Sequence, residues 1–252
     1  MNPISSFLHV GFRIIALILN QLLFTLIALV LFYIYKGNNK KYWQQTSKYG
    51  RHWARWICSI MNINVKVTGE KEPPPGSMIV ANHVGTTDIL ALGSSFDVVF
   101  VSKLEISQWP LVGWTARLGG TIFIDRDKRH NVLKMVSDLE ERLGSGCSVA
   151  IFPEGGIVDE VAIRPFKSSA FEGAIKSNAN VVPVYINYNE TDELSVVRWK
   201  GTSFLAHIFA LIKNRRLDVN LRILPSIQGE SDRRIIAQRC HQLICEASDG
   251  EI

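Results

Sequence analysis

The N-terminal segment of the chain is mainly apolar. Between Ile14 and Tyr35 no residue carries a formal charge, and upstream only Arg13 interrupts the uncharged pattern. In helical geometry this stretch spans about 33 Å, enough to cross a hydrocarbon core of about 30 Å, and it exceeds the roughly 7–15 apolar residues of a signal peptide. The pattern predicts a membrane-associated helical segment, which either spans the bilayer once or re-enters one leaflet as two short helices. A buried core helix is the alternative.

From residue 60 onward, short β-branched runs alternate with stretches of helical periodicity. Such alternation predicts an α/β fold, with a mixed, mostly parallel sheet flanked by helices. In sheets of this kind, functional residues gather in the loops after the carboxyl ends of strands. Strands are predicted at 65–67, 78–80, 98–101, 121–124, 149–152, 181–186 and 219–224, and helices at 89–93, 108–118, 131–143, 168–177 and 233–246. The stretch after residue 191 is assigned to completion of the sheet and a closing helix.

Positive charge is concentrated at the apolar end of the chain. Residues 1–56 carry a charge of +7 and no acidic residue, whereas the remainder carries −2. Between Lys36 and Trp56 the basic residues are interspersed with tyrosine and tryptophan, which suits the headgroup layer of a membrane. We therefore divide the chain into a membrane anchor with a basic, aromatic interfacial helix (1–56) and a second domain (57–252). The basic flank predicts that this domain lies on the cytoplasmic side of the cytoplasmic membrane, and no nucleic-acid partner is expected.

Several common chemistries lack their sequence motifs. The four cysteines form neither C-x-x-C nor a Cys/His pair with metal-ligand spacing, so reduced thiols are expected and a metal site is not. No P-loop, G-x-G-x-x-G or G-x-S-x-G is present, which argues against those nucleotide-binding loops and against a serine hydrolase.

One pair of residues stands out after the apolar strand at 78–80. His83 follows this strand, and Asp88 comes five positions later, where a turn into a helix brings its carboxylate back towards the imidazole. A carboxylate bonded to one ring nitrogen sets the tautomer and makes the other nitrogen a better base. No serine or cysteine accompanies the pair, which suggests that the nucleophile is a hydroxyl of the substrate. On spacing alone, a surface histidine and a helix-capping aspartate are the alternative.

The segment Asn82–Asp88 resembles the first motif, N-H-x-x-x-x-D, of the glycerolipid acyltransferases, in particular the lysophosphatidic acid acyltransferases. Three further motifs of that family have counterparts in the same order, and a signature between the first two motifs is also present. These counterparts are Phe100–Lys103 for the signature, Gly120–Arg126, Phe152–Gly155 and Val182–Val184. The resemblance covers about half of the chain and implies the glycerolipid acyltransferase fold, with the domain 57–252 as the catalytic domain.

The resemblance also implies a reaction. His83 would act as general base on the free hydroxyl of a lysolipid, Asp88 would hold the imidazole, and the oxygen would attack an acyl thioester directly. The donor would be acyl-CoA or acyl-ACP, a co-substrate rather than a bound cofactor, and no metal is needed. The most direct acceptor is 1-acyl-glycerol-3-phosphate, which would yield phosphatidic acid.

Five further positions acquire substrate-binding roles through the resemblance. Arg126, Glu154 and Gly155 would bind the polar head of the acceptor, Pro183 would shape the site, and Lys103 lies in the signature between the first and second motifs. Taken alone, these residues have simpler explanations: a salt bridge to a neighbouring aspartate for Arg126, an exposed strand end for Lys103, a cap for Glu154 and an edge-strand proline for Pro183.

The chain departs from the family pattern where the acceptor head group is expected. The third motif continues as Gly156-Ile157 instead of the usual Gly-Thr, and the later Phe-Lys-x-Gly element reads 166–169 as Phe-Lys-Ser-Ser. Arg164 and Lys167 remain as cationic groups nearby in sequence. A lyso-ornithine or other amino-acid lipid is therefore an alternative acceptor. A membrane lipid-binding protein with the same fold and a hydrolase that uses water are the other two hypotheses.

Overall fold

A computed structural model describes residues 3–110, 112–125, 129–156, 163–188, 196–198 and 203–250. From residue 63 onward, strands and helices alternate as the sequence predicts. The strands are β1 (Ile63–Gly69), β2 (Met78–Ala81), β3 (Val98–Lys103), β4 (Ile122–Ile124), β5 (Ser148–Ile151), β6 (Val181–Tyr188) and β7 (Leu217–Ile223). The helices are α1 (Pro3–Ile34), α2 (Asn39–Met61), α3 (Asp88–Ser95), α4 (Val112–Leu118), α5 (Arg129–Gly144), α6 (Phe171–Lys176), α7 (Phe204–Lys213) and α8 (Arg233–Asp249), with 3₁₀ turns at Leu104–Gln108 and Ser168–Ala170.

The seven strands form one sheet in the order β1-β7-β6-β2-β5-β3-β4. Five of its neighbouring pairs are parallel, and only β6 and β7 run antiparallel. The prediction of a mixed, mostly parallel sheet flanked by helices is confirmed. The antiparallel pair and α7, which lies between its two strands, were not predicted.

The central strands are buried on both faces. Every residue of β2 and β5 is buried, as expected for parallel strands covered by helices on two sides. One apolar cluster lies on the face that carries α2, α3 and α7, and a second lies on the face that carries α5, α6 and α8. Because β2, β5 and β6 are neighbours, the loops after their carboxyl ends meet at one place on the sheet edge. His83, Glu154 and Tyr188 lie at these three strand ends.

The N-terminal apolar segment forms one helix rather than two short ones. The stretch Leu8–Ile34 is long and apolar enough to cross a membrane. One face of α1 packs on the protein, with Asn20, Phe24, Ala28 and Leu31 buried, while the opposite face exposes large apolar side chains along its length. Leu19 is 60% exposed, and similar side chains precede and follow it.

Arg13, the charged residue within the N-terminal apolar stretch, is buried against the catalytic half of the chain. Its guanidinium donates hydrogen bonds to the carbonyl oxygens of Ile212, at 2.8 Å, and of Asn214. The charge that interrupts the apolar run therefore ties α1 to the end of α7, where the last helical carbonyls need donors.

Helix α2 continues without a break through the predicted boundary between residues 56 and 57. Ala54, Cys58 and Met61 are buried, and Asn62 ends the helix in the left-handed conformation, with φ of 56°. The second half of α2 therefore belongs to the core packing beside α3. The division into an anchor and a catalytic domain stays a prediction about roles.

We expect Arg13→Met to destabilise the protein by about 2–3 kcal/mol, because three carbonyl groups lose a charged donor within a buried contact. Thermal unfolding in detergent micelles measures the loss. Lys48→Met, which removes an exposed cation on α2, is the matched control. Equal unfolding midpoints for the two variants would contradict the anchoring role of Arg13.

Candidate active site

His83 and Asp88 are in direct contact. Nδ1 of His83 lies 2.8 Å from Oδ2 of Asp88, whose side chain is completely buried, while the imidazole retains 13% of its exposure. His83 follows β2 and Asp88 is the first residue of α3, so the turn between them folds the carboxylate back onto the ring. The structure brings the pair together as the spacing suggested, and the catalytic roles of both residues stay predictions.

The Asp88 carboxylate is surrounded by donors. Oδ2 accepts the backbone N–H groups of Val84 at 2.7 Å and Gly85 at 2.9 Å, in addition to the imidazole. Oδ1 accepts the hydroxyl of Tyr188 at 2.6 Å. Such a set of hydrogen bonds stabilises a buried negative charge that would otherwise be costly.

This donor set determines the protonation of the imidazole. Because Asp88 acts as acceptor for its other contacts, we assign the proton to Nδ1 of His83, which leaves Nε2 unprotonated. The ring stacks on Phe152, with centroids 4.0 Å apart and planes 14° from parallel, so its orientation is restrained on two sides. An imidazole in this state can take a proton from a hydroxyl group that approaches Nε2.

The backbone around His83 is held from two neighbouring strands. The Asn82 side chain exchanges hydrogen bonds with both the carbonyl and the N–H of Ile186, at 3.0 and 2.8 Å, and so extends the contact between β2 and β6. The buried Glu154, after β5, accepts the N–H of His83 at 2.8 Å and the N–H of Arg164 at 3.1 Å. These contacts position His83, and the predicted contact of Glu154 with an acceptor head group stays a prediction.

The outer side of the catalytic loop contacts residues that follow β6. A Cβ atom on Gly85 would lie 2.3 Å from the Val197 side chain, so only glycine fits there. The Thr86 hydroxyl lies 2.8 Å from Nε2 of His207 on α7. Burial lowers the pKa of His207, which keeps this imidazole neutral and suited to a hydrogen bond with a hydroxyl group.

The other predicted site residues occupy different positions. Lys103, at the end of β3, is half exposed and forms an ion pair with Glu105 at 2.6 Å. Gly155 adopts a φ of 87° and lies beneath the Lys167 side chain, because a Cβ there would be 2.7 Å from Nζ. Pro183 is buried within β6, opposite Val80, and is not an edge-strand residue. Arg126 lies outside the described residues.

No cysteine is suited to act as a nucleophile beside the pair. Cys58 contributes to the electrostatic environment of Tyr188, but burial raises the pKa of its thiol to about 11. Burial likewise raises the pKa values of Cys147 and Cys240 to about 12. A thiol with such a pKa is almost entirely protonated near neutral pH and is inert.

Sequence reasoning missed Tyr188. Its hydroxyl contacts both Asp88 and the Thr87 hydroxyl, each at 2.6 Å, and burial raises its pKa well above 10, so it remains a neutral donor. A tyrosine at the end of the strand that carries the fourth motif was the available signal, but its partner is 100 residues away.

Comparisons with known proteins agree with this geometry. The sequence model of a protein family described as Acyltransferase matches residues 64–187, which include His83, Asp88 and the other predicted site residues. A lyso-ornithine lipid O-acyltransferase from Pseudomonas aeruginosa is 32% identical over 197 residues, which cover 77% of this chain and 76% of that protein. A 1-acyl-sn-glycerol-3-phosphate acyltransferase from Neisseria meningitidis is 32% identical over 137 residues, which cover 54% of this chain and 53% of that protein.

The fold is similar to that of a solved structure. The crystal structure of a 1-acyl-sn-glycerophosphate acyltransferase from Thermotoga maritima superimposes with a TM-score of 0.66 at 20% sequence identity, over 100% of this chain and 98% of that one. The similarity extends to the N-terminal helices as well as to the sheet.

We expect Tyr188→Phe to lower kcat about tenfold with little change in KM, because Asp88 loses its only side-chain donor besides His83 while no group facing a substrate is altered. Steady-state acyl-transfer kinetics measure both constants. Tyr185→Phe, on the same strand with its hydroxyl 3.3 Å from Ser248, is the control. Equal kcat values for the two variants would remove Tyr188 from the site.

Proposed function

The chain belongs to the acyltransferase family, and from this premise we propose that it moves a fatty acyl chain from an acyl thioester to the free hydroxyl of a lysolipid. The observation that carries the proposal is the 2.8 Å contact between His83 and the buried Asp88, at the end of β2, with no protein nucleophile beside it. The enzyme is an O-acyltransferase, and the alternatives of a lipid-binding protein and a hydrolase become outcomes of its assay.

The proposed reaction takes place in one transfer. Nε2 of His83 removes the proton of the lysolipid hydroxyl as its oxygen attacks the thioester carbonyl carbon. A C–O bond forms, the C–S bond breaks, and the leaving thiolate takes the proton from Nε2, so His83 returns to its starting state. Asp88 remains ionised and stabilises the transient imidazolium. General base catalysis and positioning of the two substrates supply the acceleration, because a thiolate leaves readily.

For the acceptor, we propose 1-acyl-glycerol-3-phosphate, which would give phosphatidic acid in phospholipid biosynthesis. The order of the motifs and the relative from Neisseria meningitidis support this assignment. Arg126, directly after β4 and Asp125, is assigned to the phosphate because a guanidinium forms bidentate hydrogen bonds with such groups. Lys103 and Gly155 complete the proposed binding region, and acyl-CoA or acyl-ACP is the proposed donor, with no bound cofactor or metal.

A lyso-ornithine lipid is the second candidate acceptor. The relatives with that name from Rhizobium meliloti and Pseudomonas aeruginosa match along 76% of their length, which is more than the 53% of the phosphate-acylating relative. The two cationic side chains beside the third motif also suit a carboxylate. Arg164 donates to the carbonyl of Gly156 at 3.1 Å, and Lys167 lies over Gly155.

The N-terminal helices support a location at a membrane. The exposed apolar face of α1 would lie in lipid, and the basic and aromatic residues of α2 would lie in the headgroup layer. Because the buried face of α1 packs on the catalytic half, we propose attachment to one leaflet rather than a free-standing span. The basic flank favours the cytoplasmic side of the cytoplasmic membrane.

We expect His83→Ala to lower turnover by at least about 10³-fold, since both proton removal and positioning of the hydroxyl are lost. Release of free thiol from the donor, measured with lysolipid present, gives the rate. His52→Ala, which alters an exposed histidine on α2, is the control. Turnover of the His83 variant close to that of the control would exclude the proposed mechanism.

We expect 1-acyl-glycerol-3-phosphate to have a higher kcat/KM than lyso-ornithine lipid, and Arg126→Ala to raise the KM of this acceptor by about 10- to 100-fold, because a bidentate contact with phosphate is lost. The KM of the donor should not change, and Arg239→Ala, at an exposed position on α8, is the control. A preference for lyso-ornithine lipid would assign the enzyme to the second acceptor. Free fatty acid formed without lysolipid would indicate a hydrolase, and lipid binding without turnover would indicate a binding protein.

A further inference from the structure

Helix α7 exposes an apolar stripe on its outer side. Leu205, Ala206, Phe209 and Ala210 are exposed at helical spacing, and Lys213 continues the stripe at the end of the helix. Leu205 is 79% exposed and Phe209 is 43% exposed. A helix on the surface of a water-soluble protein normally turns polar residues outward, so this stripe points to an apolar environment. We call Leu205, Ala206, Phe209 and Ala210 the α7 outer face.

The α7 outer face lies beside the apolar surface of α1. Arg13 in α1 donates to the carbonyl of Ile212, so the last turn of α7 contacts the first half of α1. At the other end of α7, Phe204 packs on Trp109, with ring centroids 4.2 Å apart. Trp109 precedes α4, which contacts α1 through a 2.6 Å hydrogen bond between Thr115 and Gln21. Helices α4 and α7 therefore both pack against the N-terminal helix.

The residues at the end of the stripe suit a lipid headgroup layer. Nζ of Lys213 lies 4.4 Å from the centroid of the Phe209 ring, so a cation and an aromatic ring stand together where the apolar stripe ends. Long basic side chains reach from apolar surroundings to the headgroups, and aromatic rings favour the same layer. Continuity with α1 and this basic end favour a bilayer over a protein partner.

We propose that the α7 outer face inserts into the boundary between headgroups and acyl chains and forms a second lipid contact, separate from α1. The proposal rests on the proposed function, because it takes the exposed face of α1 to be in the same membrane. It adds a link to the active site, since His207 on the inner side of α7 bonds Thr86 in the catalytic loop. A lipid contact on one side of α7 would thus hold the loop that carries His83 and Asp88 at the membrane surface.

The test measures how deeply single positions enter the lipid. In a Cys245→Ser background, a single cysteine is introduced by Leu205→Cys, by Leu19→Cys as the positive control on α1, or by Leu133→Cys as the negative control on α5. Leu133 is 75% exposed, close to Leu205, but lies on the opposite layer of the sheet. Each full-length variant carries an environment-sensitive fluorophore and is reconstituted into phosphatidylcholine–phosphatidylglycerol vesicles with or without nitroxide-labelled lipid.

We expect nitroxide lipid to quench the fluorophore at position 205 several-fold more than at position 133 and to a degree comparable with position 19. Quenching at position 19 but not at position 205 would overturn this inference and leave the proposed function intact. Protection of position 205 from aqueous iodide without quenching by lipid would also overturn it, because a second protein copy would then cover the stripe. Absence of lipid quenching at all three positions would reject both the inference and the membrane location on which it rests.

Discussion

The buried carboxylate of Asp88 imposes the strongest constraint on this structure. An ionised group removed from water is tolerated only where donors replace its hydration, and here the donors come from the imidazole, two backbone N–H groups and a tyrosine hydroxyl. Meeting this requirement determines the shape of the loop between β2 and α3, the need for a close contact at Gly85 and the identity of the residue at the end of β6. The same contacts leave Nε2 of His83 as the one ring nitrogen directed away from the carboxylate, so the stability of the buried charge and the availability of a base have a common origin.

The strand order explains how distant segments meet at this carboxylate. Strand β2 lies between β5 and β6, so Asn82 can bond to Ile186 on one side while His83 accepts positioning from Glu154 on the other. The third motif and the fourth motif thus act on the first through the sheet, even though more than 60 residues separate each from it. Short motifs in a fixed order along the chain become a single site because their strands are neighbours.

Strands, most helices and the pairing of His83 with Asp88 could be predicted because their determinants are local. Burial on both faces gives β2 and β5 continuous apolar runs, and a five-residue spacing brings an aspartate at a helix start back to the preceding histidine. Tyr188 could not be predicted, since its contact depends on the register between β2 and β6. The antiparallel pairing of β7 was equally inaccessible, because a helix between two strands usually accompanies parallel pairing. Helix α7 is a ten-residue apolar segment, and periodicity alone does not distinguish such a segment from a buried strand.

Polar contacts connect the catalytic loop to the N-terminal helix in three steps. Asp88 fixes the loop from inside, Thr86 bonds His207 on α7, and the end of α7 bonds Arg13 on α1. A general base acts only within about 3 Å of the proton that it removes, and a lysolipid hydroxyl stays close to the headgroup layer because its acyl chain is held in the bilayer. An anchor joined by a flexible linker would raise the local concentration of the enzyme without setting the height of its base. Because Arg13 makes α1 part of the folded domain, the depth of α1 in lipid would also determine the height of His83, and this is the physical reason for a charged residue within an otherwise apolar helix.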